Sequence, residues 1–88
     1  MTLSEYLERA IKECERRIPR LNTQQKIDIS YINASNADPT DIEYYRFQVE
    51  LQAIEQEYLQ KQLAIRRGWA ALAARPGFVG LVPPGEAP

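Results

Sequence analysis

The sequence contains no histidine and only one cysteine, Cys14. The lack of histidine removes the commonest general base and the commonest metal-ligating side chain. A single cysteine excludes an intrachain disulfide and a cysteine-rich zinc site. We therefore expect a protein that is not an enzyme, with no catalytic residue, no metal site, no cofactor and no small-molecule substrate.

The sequence also lacks a charge excess and a long hydrophobic run. Its 88 residues include 11 Lys and Arg against 12 Asp and Glu, so the net charge is −1 and gives no overall positive field for nucleic acid. The longest apolar run, Trp69 to Ala74, is far shorter than the roughly 20 residues that span a bilayer. The N-terminal pattern is acidic and helical rather than that of a signal peptide. We expect no membrane partner and a location in the cytoplasm, in a virion or in another cytoplasmic assembly.

Glycine is absent before Gly68, and all 4 glycines fall in the last 21 residues. Four of the 6 prolines fall in the last 13 residues. Because glycine and proline interrupt regular structure, the chain divides into a body and a tail. We predict a single helical domain over residues 1–75 and an extended docking tail over residues 76–88.

The predicted fold is all-α: a helical hairpin or a three-helix arrangement built on one long C-terminal helix. A capping box, Thr2 with Glu5, begins the first helix over residues 3–18. Leu3, Leu7, Ile11, Cys14 and Ile18 form its apolar stripe. Pro19 is expected to end this helix, because proline lacks the amide proton and clashes with the preceding turn.

Residues 22–36 fit two interpretations. Ile27, Ile29 and Tyr31 alternate with polar residues as in a strand, whereas Ile27, Tyr31 and Ala34 fit one helical face. Because no second strand with a hairpin glycine is found, we favour a helix over residues 23–35. A strand that pairs with another molecule remains the alternative.

The third predicted helix covers residues 39–75. Asp38 suits the N-cap and Pro39 the first helical position, and only Gly68 interrupts the pattern that follows. Such a helix would span about 55 Å at 1.5 Å per residue. A helix of this length needs a partner along its length.

Two apolar faces follow this helix. The first, which we call the seam, repeats in heptads, with Lys61 and Gly68 as its weak positions; it comprises Tyr44, Phe47, Leu51, Ile54, Tyr58, Ile65 and Leu72. The second, patchier face comprises Ile42, Tyr45, Val49, Leu59 and Leu63. One broad face covering a three-helix core is one interpretation; a second interface, between copies or with another protein, is the one we favour.

Charge is separated along the same helix. Residues 38–57 carry six acidic side chains and one arginine, whereas residues 61–75 carry four basic side chains and no acidic one. This separation favours antiparallel packing, either on the basic end of the first helix or between two copies. The pattern does not distinguish these two arrangements.

The tail is apolar, unlike ordinary disordered tails. Phe78, Val79, Leu81 and Val82 are bounded by glycine and proline. Such a segment either folds back on the protein's own body or docks on a partner, and we favour the partner, with Trp69 contributing.

A resemblance to a known family rests on seven residues. Arg66-Arg67-Gly68 and Pro76-Gly77-Phe78-Val79, in this order of parts, resemble the small head-completion proteins of tailed phages. The resemblance implies a structural role in head–tail joining. The connector of that family resembles a glycine-containing β-hairpin, whereas Asn22–Asn36 contains no glycine.

We therefore expect a non-enzymatic assembly or adaptor subunit that binds a protein partner or its own copies. The expected interface residues are Tyr44, Phe47, Leu51, Ile54, Tyr58, Ile65, Trp69, Phe78, Val79, Leu81 and Val82. The alternatives are a small inhibitor or regulator of a larger protein, and a weak nucleic-acid-binding module. Arg66, Arg67 and Arg75 would supply the anion contacts of that module.

Overall fold

A computed structural model describes residues 1–86 of the chain as two packed helices. Helix α1 covers Leu3–Ile32 and helix α2 covers Pro39–Ala73, and residues 33–38 connect them. Within residues 1–86 the only β-type pairing is an isolated bridge between Thr2 and Leu81. The predicted all-α class and helical hairpin are confirmed, whereas the three-helix alternative is not found.

The predicted capping box begins α1. The backbone amide of Glu5 donates to Thr2 Oγ1 at 3.1 Å, and the Thr2 amide donates to Glu5 Oε1 at 3.4 Å. The pKa of Glu5 is lowered, because hydrogen bonds stabilise its charged carboxylate. The Thr2 hydroxyl makes the larger contribution and the Thr2 backbone amide the next. The sequence thus determined where α1 begins.

The predicted end of the first helix at Ile18 is wrong, because α1 continues through Pro19 for 13 more residues to Ile32. Ile18 and Leu21, on either side of the proline, both pack against the core, while Pro19 itself is exposed. Proline removes one hydrogen bond of the helix, but packing on both sides of it holds the backbone helical. Thr23 Oγ1 also donates to the Pro19 carbonyl oxygen at 3.0 Å.

The helical interpretation of residues 22–36 is confirmed as far as Ile32, where they form the second half of α1. The predicted face is right for Tyr31, whose ring lies against Tyr45 of α2, and wrong for Ile27. Ile27 is 56% exposed, whereas Asp28 is only 3% exposed and faces α2. Continuity through Pro19 sets the rotation of this segment, so the buried stripe of the first half continues onto Asp28 rather than onto Ile27.

Helix α2 begins as predicted. The Asp38 side chain accepts from the Thr40 amide at 2.9 Å, and Pro39 occupies the first turn. The helix ends at Ala73 with Ala74 as its C-cap, two residues before the predicted end. Pro76 explains the difference, because a proline disfavours helical backbone at the residue before it.

The hydrophobic core between the helices is small. Leu7, Cys14, Leu59 and Leu63 are its buried apolar side chains within residues 1–86. The molecule is rod-shaped, with principal extents of 61 × 24 × 15 Å. Each helix therefore has one side against its neighbour and the rest of its surface in solvent.

Candidate interaction surfaces

The two apolar faces predicted for α2 have different environments in the hairpin. Leu59 and Leu63, from the second and patchier face, are buried against α1. The seam lies roughly 130° around the helix from this buried face, at 3.6 residues per turn. Its members are exposed, together with Trp69: Tyr44, Phe47, Leu51, Ile54, Tyr58, Ile65 and Leu72.

The seam is a nearly continuous apolar strip. From Tyr44 to Leu72 it follows 28 residues of helix, or about 42 Å. Its most exposed member is Ile54, at 66%. Scattered apolar side chains on a surface are ordinary, but a contiguous exposed patch of this extent is typical of an interaction site. The hairpin itself leaves this face without a partner.

The flank of the seam changes along the helix. Glu43, Glu50 and Glu57 follow one edge in the first half, and the heptad continues on that edge with Ala64 and Ala71. Glu43 pairs with Arg46 at 3.1 Å and Glu57 with Lys61 at 2.9 Å, both within α2. The first half of the seam is therefore bulky with an acidic edge, and the second half has small side chains on the same edge.

Gly68 lies on the seam side of α2, in the half with small side chains. A Cβ atom built at Gly68 would have no other atom within 4 Å. The hairpin therefore does not require glycine at this position. Glycine in a helix interior costs about 0.8–1 kcal/mol relative to alanine.

A polar layer that the sequence analysis did not predict crosses the hairpin core. Gln52 Nε2 donates to Asp28 Oδ2 at 2.8 Å, and Gln24 Nε2 donates to Asp28 Oδ1 at 2.9 Å. Gln52 Oε1 is buried and has no hydrogen-bond partner among the described residues. The break in the second face of α2 between Val49 and Leu59 was the available signal, since Gln52 and Gln56 occupy it.

The predicted docking tail lies against the protein's own N-terminus over its described part, residues 76–86. The Leu3 amide donates to the Gly80 carbonyl oxygen at 3.1 Å, and the Val82 amide donates to the Met1 carbonyl oxygen at 3.1 Å. Ala87 and Pro88, the end of the predicted tail, lie outside the described residues.

Two glycines of this tail lie where a side chain would be strained or crowded. Gly77 has a φ of 82°, a backbone conformation that favours glycine. At Gly80, a Cβ atom would lie 2.8 Å from Phe78 Cε1, so a side chain there would require the Phe78 ring to shift. Val79 and Leu81 point outward and are 90% and 76% exposed. The backbone of the tail thus forms hydrogen bonds with the protein's own N-terminus, while two apolar side chains of the tail remain in solvent.

The three arginines proposed as anion contacts are separated. Arg66 Nη1 donates to Cys14 Sγ at 2.8 Å across the helix pair. Arg67 forms an ion pair with Glu15 at 3.2 Å. Arg75 follows the end of α2 and is exposed. Two of the three are therefore turned toward α1 rather than toward a common anion.

Aromatic side chains close the hairpin at its turn. The rings of Tyr31 and Tyr45 lie 4.5 Å apart between centroids, and Tyr44 contacts Tyr45 edge-on at 5.4 Å. The Tyr31 hydroxyl donates to Asp41 Oδ2 at 3.1 Å. The pKa of Tyr31 is raised mainly by desolvation of its hydroxyl. The hydrogen bond to Asp41 and the negative charge of Asp41 raise it further. This contact joins the last turn of α1 to the first turn of α2.

Within residues 1–86 no three His, Cys, Asp or Glu side chains are grouped as metal ligation would require. Neither helix, over the same residues, has the length and apolarity needed to cross a membrane.

No protein-family model, no curated protein and no solved structure matches this chain. Asn22–Asn36, which lacks the glycine of the β-hairpin connector in the phage head-completion proteins, is helical through Ile32.

Proposed function

We propose that this protein is a small, non-enzymatic assembly or adaptor subunit that binds another protein surface through the seam of α2. The supporting observation is the exposure of this whole apolar strip while the opposite face of the same helix packs on α1. An amphipathic helix normally has one apolar face, which it buries. A second apolar face at heptad spacing is typical of helices that pack against another helix.

The size of the buried core supports the same role. Small domains bury a low fraction of their surface and are often stabilised by association when disulfides and metals are lacking. Leu7, Cys14, Leu59 and Leu63 make a small core for a hairpin of this length. Covering the seam would add a second apolar layer along α2.

The tail supplies a smaller second contact in this proposal. Val79 and Leu81 are the most exposed large apolar side chains within residues 1–86. They lie at the end of the rod where α1 begins, because the tail pairs with Met1 and Leu3. A phage head–tail joint is one setting for such a subunit, on the resemblance of residues 66–68 and 76–79. The seam would serve equally in another protein assembly.

Site-specific photo-crosslinking in cells that make the full chain tests this role. A photoreactive phenylalanine analogue replaces Ile54 on the seam or, as a matched control, Ile27 on the outer side of α1. The two positions suit a comparison because both are isoleucines in helices, 66% and 56% exposed. We expect one product of discrete mass from position 54 and none from position 27.

Equal crosslinking from both positions, or none from position 54, would overturn the proposal. Ile54→Asp tests whether the product depends on the apolar surface. We expect this variant to retain the helical circular dichroism of the hairpin, because Ile54 is not part of its core. When the photoreactive analogue replaces Tyr58, the crosslink that it forms in the otherwise wild-type chain should be lost in the Ile54→Asp variant. Retention of that crosslink would also contradict the role of the seam.

A further inference from the structure

We infer that the partner covering the seam is a second copy of this chain, with the two α2 helices antiparallel and each α1 on the outside. This inference rests on the proposed function and names the occupant of its surface. The result is a symmetric four-helix assembly with two kinds of interface: α1 with α2 inside each copy, and α2 with α2 between copies. Three features of the seam support it.

The first feature is area. The seven side chains of the seam and Trp69 beside them are between about a third and two thirds exposed, and four of these eight side chains are aromatic. With roughly 150–250 Å² for a fully buried aromatic side chain, they offer on the order of 800 Å² per copy. A standard protein interface buries about 800 Å² on each partner. The seam alone therefore reaches the size that a stable dimer needs.

The second feature is shape. Tyr44, Phe47 and Leu51 make the first half of the seam bulky, whereas Ala64, Gly68 and Ala71 make one side of the second half shallow. An antiparallel pair puts the bulky half of each helix against the shallow half of the other. Gly68 then allows close approach of a second helix, which accounts for a glycine that the hairpin does not require.

The third feature is charge. In a parallel pair, the edge that carries Glu50 would lie beside the edge of the other copy that carries Glu55, and the two carboxylates would repel. In an antiparallel pair, Glu43 and Glu50 lie beside the second half of the other helix. That half has no acidic residue between positions 61 and 75, and Lys61 is its basic side chain on the seam side, because Arg66 and Arg67 contact α1. The lack of acidic side chains opposite Glu43 and Glu50 therefore favours the antiparallel orientation.

The mass of the purified full chain tests the dimer. Light scattering after size exclusion, at concentrations from about 1 to 100 µM, should give twice the chain mass of 10.1 kDa. Ile54→Asp should give the monomer mass with unchanged helical content, and weaken association at least about 100-fold. We expect this loss of affinity because the symmetric interface would bury two unpaired carboxylates, one from Asp at position 54 of each copy. The matched variant Ile27→Asp should remain dimeric.

Single cysteines test the orientation. Phe47→Cys alone should not crosslink to itself, because an antiparallel arrangement centred near residues 56–60 separates the two copies of position 47 by about 27 Å or more. A mixture of Phe47→Cys with Ile65→Cys, or with Leu72→Cys, should crosslink through a bismaleimide spanning about 10 Å. The wild-type chain, whose Cys14 is buried, is the control. Self-linking of Phe47→Cys without the mixed product would overturn the antiparallel orientation.

Gly68 gives an independent check. Gly68→Ala should stabilise an isolated hairpin, because alanine has the higher helix propensity and its Cβ atom would meet no other atom within 4 Å. Gly68→Leu should instead weaken the dimer at least about 10-fold, because its side chain would occupy the space of the second helix. An unchanged dissociation constant for Gly68→Leu would contradict close packing at this position.

The two proposals fail in different ways. A purified chain that remains a monomer at 100 µM overturns the second-copy inference. If position 54 still crosslinks to a protein of another mass, the adaptor role stands with a different partner. If position 54 crosslinks to nothing, both are wrong.

Discussion

At the residue scale, Asp28 and Gln52 form a buried, hydrogen-bonded polar pair between the two helices. Asp28 stands between Ile27 and Ile29, so either interpretation of that segment placed it in solvent. In the hairpin, both of its carboxylate oxygens accept side-chain amide hydrogen bonds. A buried carboxyl group of this kind costs free energy unless its oxygens are hydrogen-bonded, so we expect it to fix how α1 and α2 align rather than to add stability.

Replacing one member of this pair should lower the free energy of unfolding more than replacing both. Asp28→Leu leaves the Gln52 amide buried without an acceptor, and we expect it to lower the free energy of unfolding by about 1–3 kcal/mol. Asp28→Leu with Gln52→Leu should recover most of that loss. Urea unfolding followed by circular dichroism measures both. Gln24→Leu, at an exposed position, serves as the control with a smaller expected effect. A double variant no more stable than Asp28→Leu would contradict the pairing.

At the element scale, α1 tolerates a proline in its interior because of its neighbour. Proline disrupts an isolated helix by about 3 kcal/mol, and the sequence rule therefore predicted an end at Ile18. Ile11, Ile18 and Leu21 pack against the core shared with α2, so the helix is held on both sides of the break. Local propensity was outweighed by tertiary packing, as it often is.

Pro19→Ala should therefore stabilise the protein. Alanine restores the missing amide donor and improves helix propensity at an exposed site, so we expect the free energy of unfolding to rise by about 1–3 kcal/mol. The urea midpoint at fixed protein concentration measures this change. Asn22→Ala, at another exposed position of α1, is the control for propensity alone. A lower midpoint for Pro19→Ala would mean that α1 depends on the proline.

At the scale of the whole molecule, the hairpin is extended rather than compact. Its radius of gyration is 18.4 Å, whereas a compact domain of this length has about 12 Å. A rod exposes more of each helix than a globule does. The seam is the part of that exposed surface with the composition of a core.

The tail gives a prediction at the same scale. Removing residues 76–88 takes away the Gly80 carbonyl oxygen that accepts from the Leu3 amide. We expect amide hydrogen exchange at Leu3 to accelerate about 10-fold or more, while amides near Leu59 keep their protection. The overall helical content should not fall, because both helices lie outside the deleted segment. Unchanged exchange at Leu3 would contradict pairing of the tail with the N-terminus.

Local sequence signals correctly predicted the all-α class, both helix N-termini and the two apolar faces of α2. These follow from local chemistry: Thr2 and Asp38 side chains accept hydrogen bonds from nearby amides, and helical spacing aligns the apolar side chains. Three features depend on how the helices pack: α1 passes through Pro19, Asp28 faces inward, and the patchier face of α2 packs on α1. Burial depends on which surfaces meet, and the buried Gln52 Nε2 has an acceptor only because Asp28 lies opposite it. The more regular face was consequently left outside, where it defines the candidate interface.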